Sequence, residues 1–495
     1  MSIRQDQELK SRQDKLQVWQ DLGFKLYPSD FKRQQTVAEI RALAEQAEVP
    51  VLTGESVDGQ EILVTAGRLM TLRPHGSLWF ATLQDETGSL QIALVEKITA
   101  DKVWQLAANL DRGDIVGVSG VLVKSRRGEL SILAKQIIPL AKGLQILPEK
   151  WHGLKDVEQR LRRRYVDLMM SAETREMFKK KSIFWQTARS WLQSADFMEV
   201  DTPALETIAG GADANPFVTH HDALDKDFYL RISLELPLKR LLVGGFDKVF
   251  EIGKVFRNEG IDTEHLQDYT MCEFYWAYAD YQDLMVFTRQ MYQAIIQAVT
   301  GSLITVYDGK TIDWSGDWPQ KDYFEIIKEY TNEDLSGLTD VKELRQLLER
   351  HKVRYEDNMG AGRLIDLFWK KLVRPKVVGP LFLINHPLEV SPLAKRHRTM
   401  PGRVERMQII AAGSELGNGF SELNDPKDQR ARFAEQMKLR EGGDNEAMML
   451  DDDFIEALEY GMPPAAGFGF SERLFSFIID KPIRETVLFP PMRDN

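Results

Sequence analysis

A chain of 495 residues with 64 basic and 75 acidic side chains has a formal charge of −11, which excludes a protein that coats nucleic acid nonspecifically, because that mode works by neutralising phosphates. At 43% hydrophobic and 28% charged residues, the composition is that of a soluble globular protein long enough for two or three domains. No run of eighteen apolar residues occurs, the first residues are charged, and the single cysteine, Cys272, excludes an intramolecular disulfide or a cysteine-cluster zinc site, so a cytoplasmic location is the expectation.

Residues 1–60 read as a charged helical extension in which Tyr27-Pro28 ends the first helix, since the residue before a proline is driven out of helical backbone. From 61 to 142 the pattern changes to short alternating strands, ILVTAGRLMTL, SLWFATLQDETGSLQIALV, DIVGVSGVLVKS and GELSILAKQIIPL, with turn signals at Pro74-His75-Gly76, Thr87-Gly88 and Arg127-Gly128. Five strands with one helical insert near 101–109 fit a small OB-type barrel, a fold that binds oligonucleotides across its second and third strands. Phe80 and Gln91 lie on those strands and Glu129 opens the last. On spacing alone, Phe80 fits a barrel core as well as a base-stacking platform.

Residues 143–182 form a connector whose Arg160, Arg162, Arg163 and Arg164, like Lys124, Arg126 and Arg127 in the barrel, put local basic charge on an acidic chain and suit a nucleic-acid backbone. A second large domain runs from 183 to 495. It opens on a helix (IFWQTARSWLQSADF) and a strand stopped at Pro203, then passes Gly210-Gly211 and the adjacent His220 and His221. Neighbouring histidines on a strand point to opposite faces, so they are assigned no metal. Residues 301–376 read as helices and loops without chemistry, an insertion into this domain. Strand patterns return at 389–395 and 413–425, and the chain closes on GFGFSERLFSFIID, glycines leading into an apolar helix with Arg473 near its start. No βαβ context follows, so this is not a dinucleotide fingerprint.

The chain centres on 246–281, FDKVFEIGKVFRNEGIDTEHLQDYTMCEFYWAYADY. β-Branched and aromatic residues flank a polar middle with glycine and charge, so it reads as strand, loop, strand. Arg257 and Glu259, two residues apart at a strand end, point to one face and, with His265, Glu273 and Tyr275 close in sequence, form a ligand site for a polyanion more readily than a core. Cys272 reads as a packed thiol rather than a nucleophile.

This stretch resembles motif 2 of class II aminoacyl-tRNA synthetases, and FRNEG…TMCEFYWAYADY is similar to its form in the lysyl-tRNA synthetase family. The segment ending at 197–203 resembles motif 1, the dimer-forming element, GFGFSER resembles motif 3, and PEKWHGLKDVEQRLRRRYVDL in the connector also matches the family, so that the resemblance runs from about residue 10 to 493. It implies an α/β (α+β) chain: an OB barrel that reads the anticodon through Phe80, Gln91 and Glu129, and a catalytic domain built on an antiparallel sheet flanked by helices. It further implies a homodimer that uses ATP and Mg2+ to convert L-lysine to lysyl-adenylate and to charge tRNA(Lys).

By resemblance, Arg257, Glu259 and Arg473 form the catalytic set. Arg257 meets the α-phosphate, Tyr269 stacks on adenine against Arg473, His265 reaches the nucleotide from the loop, and Glu415 binds metal. For lysine, Gly211 and Glu235 face the α-amino group, Tyr275 and Glu422 with Glu273 face the ε-ammonium, and Asn418 and Phe420 complete the wall. Three carboxylates there would repel an aspartate side chain, which counts against a ligase of the same architecture for aspartate or asparagine. The sequence departs from the family at Gln408, where a magnesium-binding glutamate is usual, at 467–473, where the third motif 3 glycine is missing and the arginine is one residue closer, and at Glu264-His265-Leu266. Gln408 leaves open a synthetase-like RNA-binding protein without catalysis, against which Arg257, Glu415 and Arg473 argue.

Overall fold

The computed structural model describes residues 3–53, 57, 60–148, 156–260, 266–443 and 447–492, and it divides between 156 and 157 into two compact units. In the first unit β1 (Leu63–His75), β2 (Leu78–Gln84), β3 (Ser89–Val95), β4 (Ile115–Lys124) and β5 (Leu130–Ala141) close a barrel in the order β1-β2-β3-β5-β4. Only the β3–β5 pair is parallel. The expected helix, Asp101–Ala107, lies between β3 and β4, which completes the OB topology. Alternation along the strands buries Leu83, Leu90, Ile92, Val116, Val118 and Ile132 inside.

The N-terminal helix Ile3–Asp21 belongs to this unit, because Trp19 is buried in the barrel core and Arg12 donates to the carbonyls of Gly143 (2.6 Å) and Arg112 (3.2 Å). It ends at Asp21, short of Tyr27-Pro28: Gly23 adopts φ +72° and its N–H closes on the Gln20 carbonyl at 2.7 Å, so a glycine stop acts before the proline is reached.

The second unit contains β6 (Met198–Glu199), β7 (Leu205–Glu206), β8 (Val218–His221), β9 (Lys226–Leu230), β10 (Lys248–Phe256), β11 (Asp268–Ala277), β12 (Ile304–Tyr307), β13 (Lys310–Asp313), β14 (Gln320–Asp322), β15 (Leu381–Ile384), β16 (Arg406–Ala411), β17 (Ser414–Ser421) and β18 (Ala465–Ser471). Eight of them form one sheet in the order β14-β15-β16-β17-β18-β11-β10-β6. Its six central strands are antiparallel and both edge pairs are parallel. The strand, loop, strand expected at 246–281 is the β10–β11 hairpin, with Val255 opposite Tyr269; positions 261–265 lie outside the described residues. The 301–376 segment is not all insertion, since β14 adds an edge strand to the main sheet; three residues are too few to leave a periodic signal.

Helices Ala172–Ser194 and Tyr281–Thr300 cover one face of the sheet. Asp280 caps the second helix through the N–H groups of Gln282 and Asp283, Gly301 ends it at φ +78°, and Leu284, Met291, Tyr292, Ile295 and Val299 recur at helical spacing on the buried side. Phe250, Cys272, Phe274, Phe468 and Phe470 point from the sheet into this core, so Cys272 is a packed thiol. The opposite face is left for the site.

The connector arginines do not form a free basic face. Arg164 is buried, donating to Asp167 Oδ2 (2.8 Å) and the Glu485 carbonyl (2.9 Å), Arg160 also holds Asp167, and Arg162 pairs with Glu158. The buried Asp167 carboxylate and, for Arg164, the carbonyls of Glu485, Val487 and Leu488 claim the charge first, and of these four arginines Arg163 alone is exposed. Among the described residues no helix is long and apolar enough to cross a membrane.

Candidate active site

A cavity of about 420 Å³ opens on the free face of the sheet. Tyr269, Met271, Glu273 and Tyr275 line it from alternate positions of β11, while Cys272 and Phe274 between them face the core. Gly467 of β18 stands opposite Tyr275, and a Cβ there would lie 2.3 Å from Tyr275 Cε1 and 2.2 Å from Glu422 Oε1, so glycine is what lets the aromatic ring lie across the strand. Between β16 and β17 the register slips at Ile409/Ile410. That extra residue changes the alternation, so Glu415 joins Asn418 and Phe420 on the cavity wall although an odd number separates it from Asn418.

One end of the cavity is acidic. Glu273 is buried, its Oε1 accepting from Ser233 Oγ (2.8 Å) and Leu234 N (3.0 Å) and its Oε2 from the Tyr275 hydroxyl (2.9 Å). Burial pushes its pKa up, and those hydrogen bonds oppose the rise. Glu235 sits in the first turn of helix Glu235–Val243, where the helix dipole favours a carboxylate, yet burial lifts its pKa to about 7 against the opposing charge of Lys239. Gly211 closes this end at φ +85°; a Cβ on it would meet Ser233 Cβ at 2.9 Å. Glu422 is not on the wall. It is buried behind it, and its carboxylate is ion-paired with Lys239, whose ammonium also pairs with Glu235 and lies 5.3 Å from the Phe420 ring centroid.

The other end is cationic and aromatic. Arg257 donates to the Ile232 carbonyl (3.2 Å) and its guanidinium carbon lies 5.6 Å from the Tyr269 ring centroid; Arg473 donates to the Glu415 carbonyl (3.3 Å). Arg406 Nε orients Asn418 through its Oδ1 (2.7 Å). Gln408 lines the wall opposite Asn418 across the β16–β17 ladder. Glu259 is half-buried and outside the cavity wall, at the edge of the described residues, and His265 lies outside them. Among the described residues no group of three or more histidine, cysteine or carboxylate side chains is arranged to hold a metal ion.

In the barrel, Ala81 and Leu83 of β2 face the interior, while Phe80 packs half-buried on the opposite face with Ala93, Val95 and Leu133. Gln91 donates to Glu129 Oε2 (2.8 Å) and accepts from Ser131 Oγ (2.8 Å), which brings two of the three expected anticodon residues into one hydrogen-bonded group.

Sequence reasoning passed over Ser233, Lys239 and Arg406, which hold Glu273, Glu422 and Asn418. Lys239 follows Glu235 by four, a helical pairing readable in principle. Arg363, Asp366 and Lys370 also line the cavity although their segment was expected to carry no chemistry. Their spacing is helical, but nothing local says that this face meets the sheet.

The family described as tRNA synthetases class II (D, K and N) matches residues 156–493, and the OB-fold nucleic acid binding domain matches 63–140. The lysine--tRNA ligase of Moorella thermoacetica is 42% identical over 100% of this chain and 99% of its own length, that of Thermoanaerobacter sp. 43% over 98% and 96%, and that of Staphylococcus aureus 42% over the full length of both. The chain belongs to the class II tRNA synthetases. Within that class, the full-length relatives named here are all lysine--tRNA ligases.

Proposed function

We propose that the protein activates L-lysine with ATP to lysyl-adenylate and transfers the lysyl group to the 3′ end of tRNA(Lys), acting as a cytoplasmic homodimer. One observation carries the reading: a single cavity joins an acidic, aromatic end at Glu235, Glu273 and Tyr275 to a cationic end at Arg257 and Arg473. An amine is recognised by the first and a nucleotide by the second, and adenylation needs both in one space. The lysine--tRNA ligase relatives support the choice of amino acid. Exposed apolar side chains at Met198 in the motif 1 segment and at Leu205 just after it support a dimer.

In this reading Tyr269 stacks on adenine against Arg473, and Arg257 spreads the charge that grows on the α-phosphate as the lysine carboxylate attacks in line, so positioning and electrostatics suffice without a covalent enzyme intermediate. Gly211 and Glu235 take the α-amino group; Glu273, Tyr275 and Glu422 provide the acidic field for the ε-ammonium, with Asn418 and Phe420 as wall. Phe80, Gln91 and Glu129 read the anticodon. The donor set fits a magnesium ion held through Glu415 and substrate phosphates, with the Gln408 amide as a weak neighbour, since magnesium is commonly bound by one or two carboxylates together with phosphates. Such an ion supplies charge neutralisation on the phosphates.

Pyrophosphate exchange into ATP, run separately with lysine, aspartate and asparagine, tests the reading. Exchange with lysine alone is the expected result. Exchange with aspartate or asparagine instead overturns the amino-acid assignment, and none with any of the three favours a synthetase-like protein without catalysis.

A further inference from the structure

The segment 361–373 brings charge into the cavity that the mechanism above does not use. Helix Ala361–Phe368 runs into a π-turn over Trp369–Val373, an irregularity found often at functional sites. Gly362 permits a close approach, since a Cβ there would stand 2.7 Å from Glu389 Cβ. Arg363, Asp366 and Lys370 are spaced by three and four, and all of them line the same wall as Gln408, Glu415 and Arg473. Lys370 Nζ is tethered to Asp366 Oδ2 at 2.7 Å while 48% of its side chain stays open to solvent. Attraction to Asp366, with a further pull from Glu415, raises its pKa and keeps it an ammonium.

We propose that Lys370 is a fixed cation for the phosphate tail of the nucleotide, held in position by Asp366. The inference rests on the ATP-dependent reading above. A triphosphate brings several negative charges to a cavity where Gln408 is a neutral amide and where, of the carboxylates Glu415, Glu389 and Asp366, the last is already engaged by Lys370. A tethered ammonium supplies part of the missing positive charge, and its compact point charge suits a phosphate whose orientation changes as pyrophosphate departs. Arg363 lies one turn before Asp366 on the same helix and adds to the positive potential there.

Calorimetric titration of ATP, and separately of AMP, into wild type, Lys370→Met and Lys370→Arg without lysine tests this, once in excess EDTA and once in saturating magnesium. In EDTA, Lys370→Met is expected to weaken ATP about tenfold, the scale of one charge-assisted hydrogen bond, to leave AMP unchanged, and to be largely rescued by arginine; in magnesium the loss is smaller. Equal losses for ATP and AMP, unchanged ATP binding in Lys370→Met, or a wild type that binds ATP no better than AMP in EDTA would each overturn the proposal. A wild type that still exchanges pyrophosphate with lysine in such a case retains the functional reading and loses only the assignment of Lys370.

Discussion

The ammonium of Lys239 is ion-paired with Glu422, and both are fully buried behind the acidic end of the cavity. Lys239 also pairs with Glu235 one helical turn away, so one cation is shared by two carboxylates before any substrate arrives. Glu273 stands beside them, so three carboxyl groups face one ammonium. Burial raises all three in pKa, Glu422 well above the ordinary carboxyl range, and the fixed cation opposes that rise at Glu235 and Glu422.

Glu422→Gln should therefore act in two ways. It removes charge from the lysine end and leaves Lys239 with one partner instead of two. Loss of a partner in a buried pair costs about 3–5 kcal/mol at the extreme, and the remaining Glu235 contact reduces that. Steady-state kinetics are expected to show KM for lysine rising far more than KM for ATP, with a lower melting temperature. Equal losses of both affinities would mean that Glu422 serves the scaffold alone.

Glu235 gives a pH dependence of definite sign. Burial lifts its carboxyl to about 7 from an ordinary 4.5, so below that value it is neutral and only above it can it partner the lysine amine. KM for lysine should fall as pH rises from about 6 to about 8, while KM for ATP stays nearly flat. Stability runs the other way: the folded chain holds this proton more tightly than the unfolded one, so the contribution is full below the unfolded value and declines as pH rises through about 7. Glu235→Gln should flatten both slopes. A wild-type lysine KM that is constant over this range would remove the carboxyl from the binding step.

Phe80→Ala tests the barrel. Phe80 lies on the outer face of β2, with Gln91 on the neighbouring β3 holding Glu129 just before β5, so its loss should weaken tRNA by about 1–3 kcal/mol, the value of one stacked base. Lysine-dependent exchange without tRNA should persist. If exchange collapses as well, the ring's main role is packing against Ala93 and Leu133.

How much of this was legible depended on the range of the interaction. Barrel and hairpin strands were readable because alternation is local; the roles of Tyr269, Glu273 and Tyr275 came from the family resemblance, and the alternation of β11 accounts for the face they share. Glu422 was readable as an acid near the pocket but not as one held by Lys239, because the pairing joins positions far apart in sequence. Arg164 misled for the same reason, since its carbonyl partners lie beyond residue 480, whereas Arg160 and Arg162 are held by Asp167 and Glu158 close by in sequence. Lys370 sat in a segment with no strand signal, and what brings its face to the cavity is tertiary packing, including the close approach of Gly362 to Glu389 and the burial of Leu364, Ile365 and Phe368.

Gln408 is where the sequence departs most from what metal chemistry favours. Magnesium prefers hard anionic oxygen, and an amide oxygen at this wall position is neutral, which leaves more of the coordination to Glu415, phosphates and water. The wild type should therefore need more free magnesium for lysyl-adenylate formation than Gln408→Glu. The midpoint is expected to fall by about tenfold in the variant, equivalent to about 1.4 kcal/mol for one added carboxylate contact. Asp366 and Glu389 also line the wall and are the carboxylates able to substitute, but Asp366 is already engaged by Lys370. Because position 408 is buried, the melting temperature of Gln408→Glu is measured alongside, with and without magnesium; a new metal ligand makes the variant gain more from the ion than the wild type does. Identical magnesium midpoints and identical thermal gains in the two proteins would sink the idea that the amide weakens metal binding.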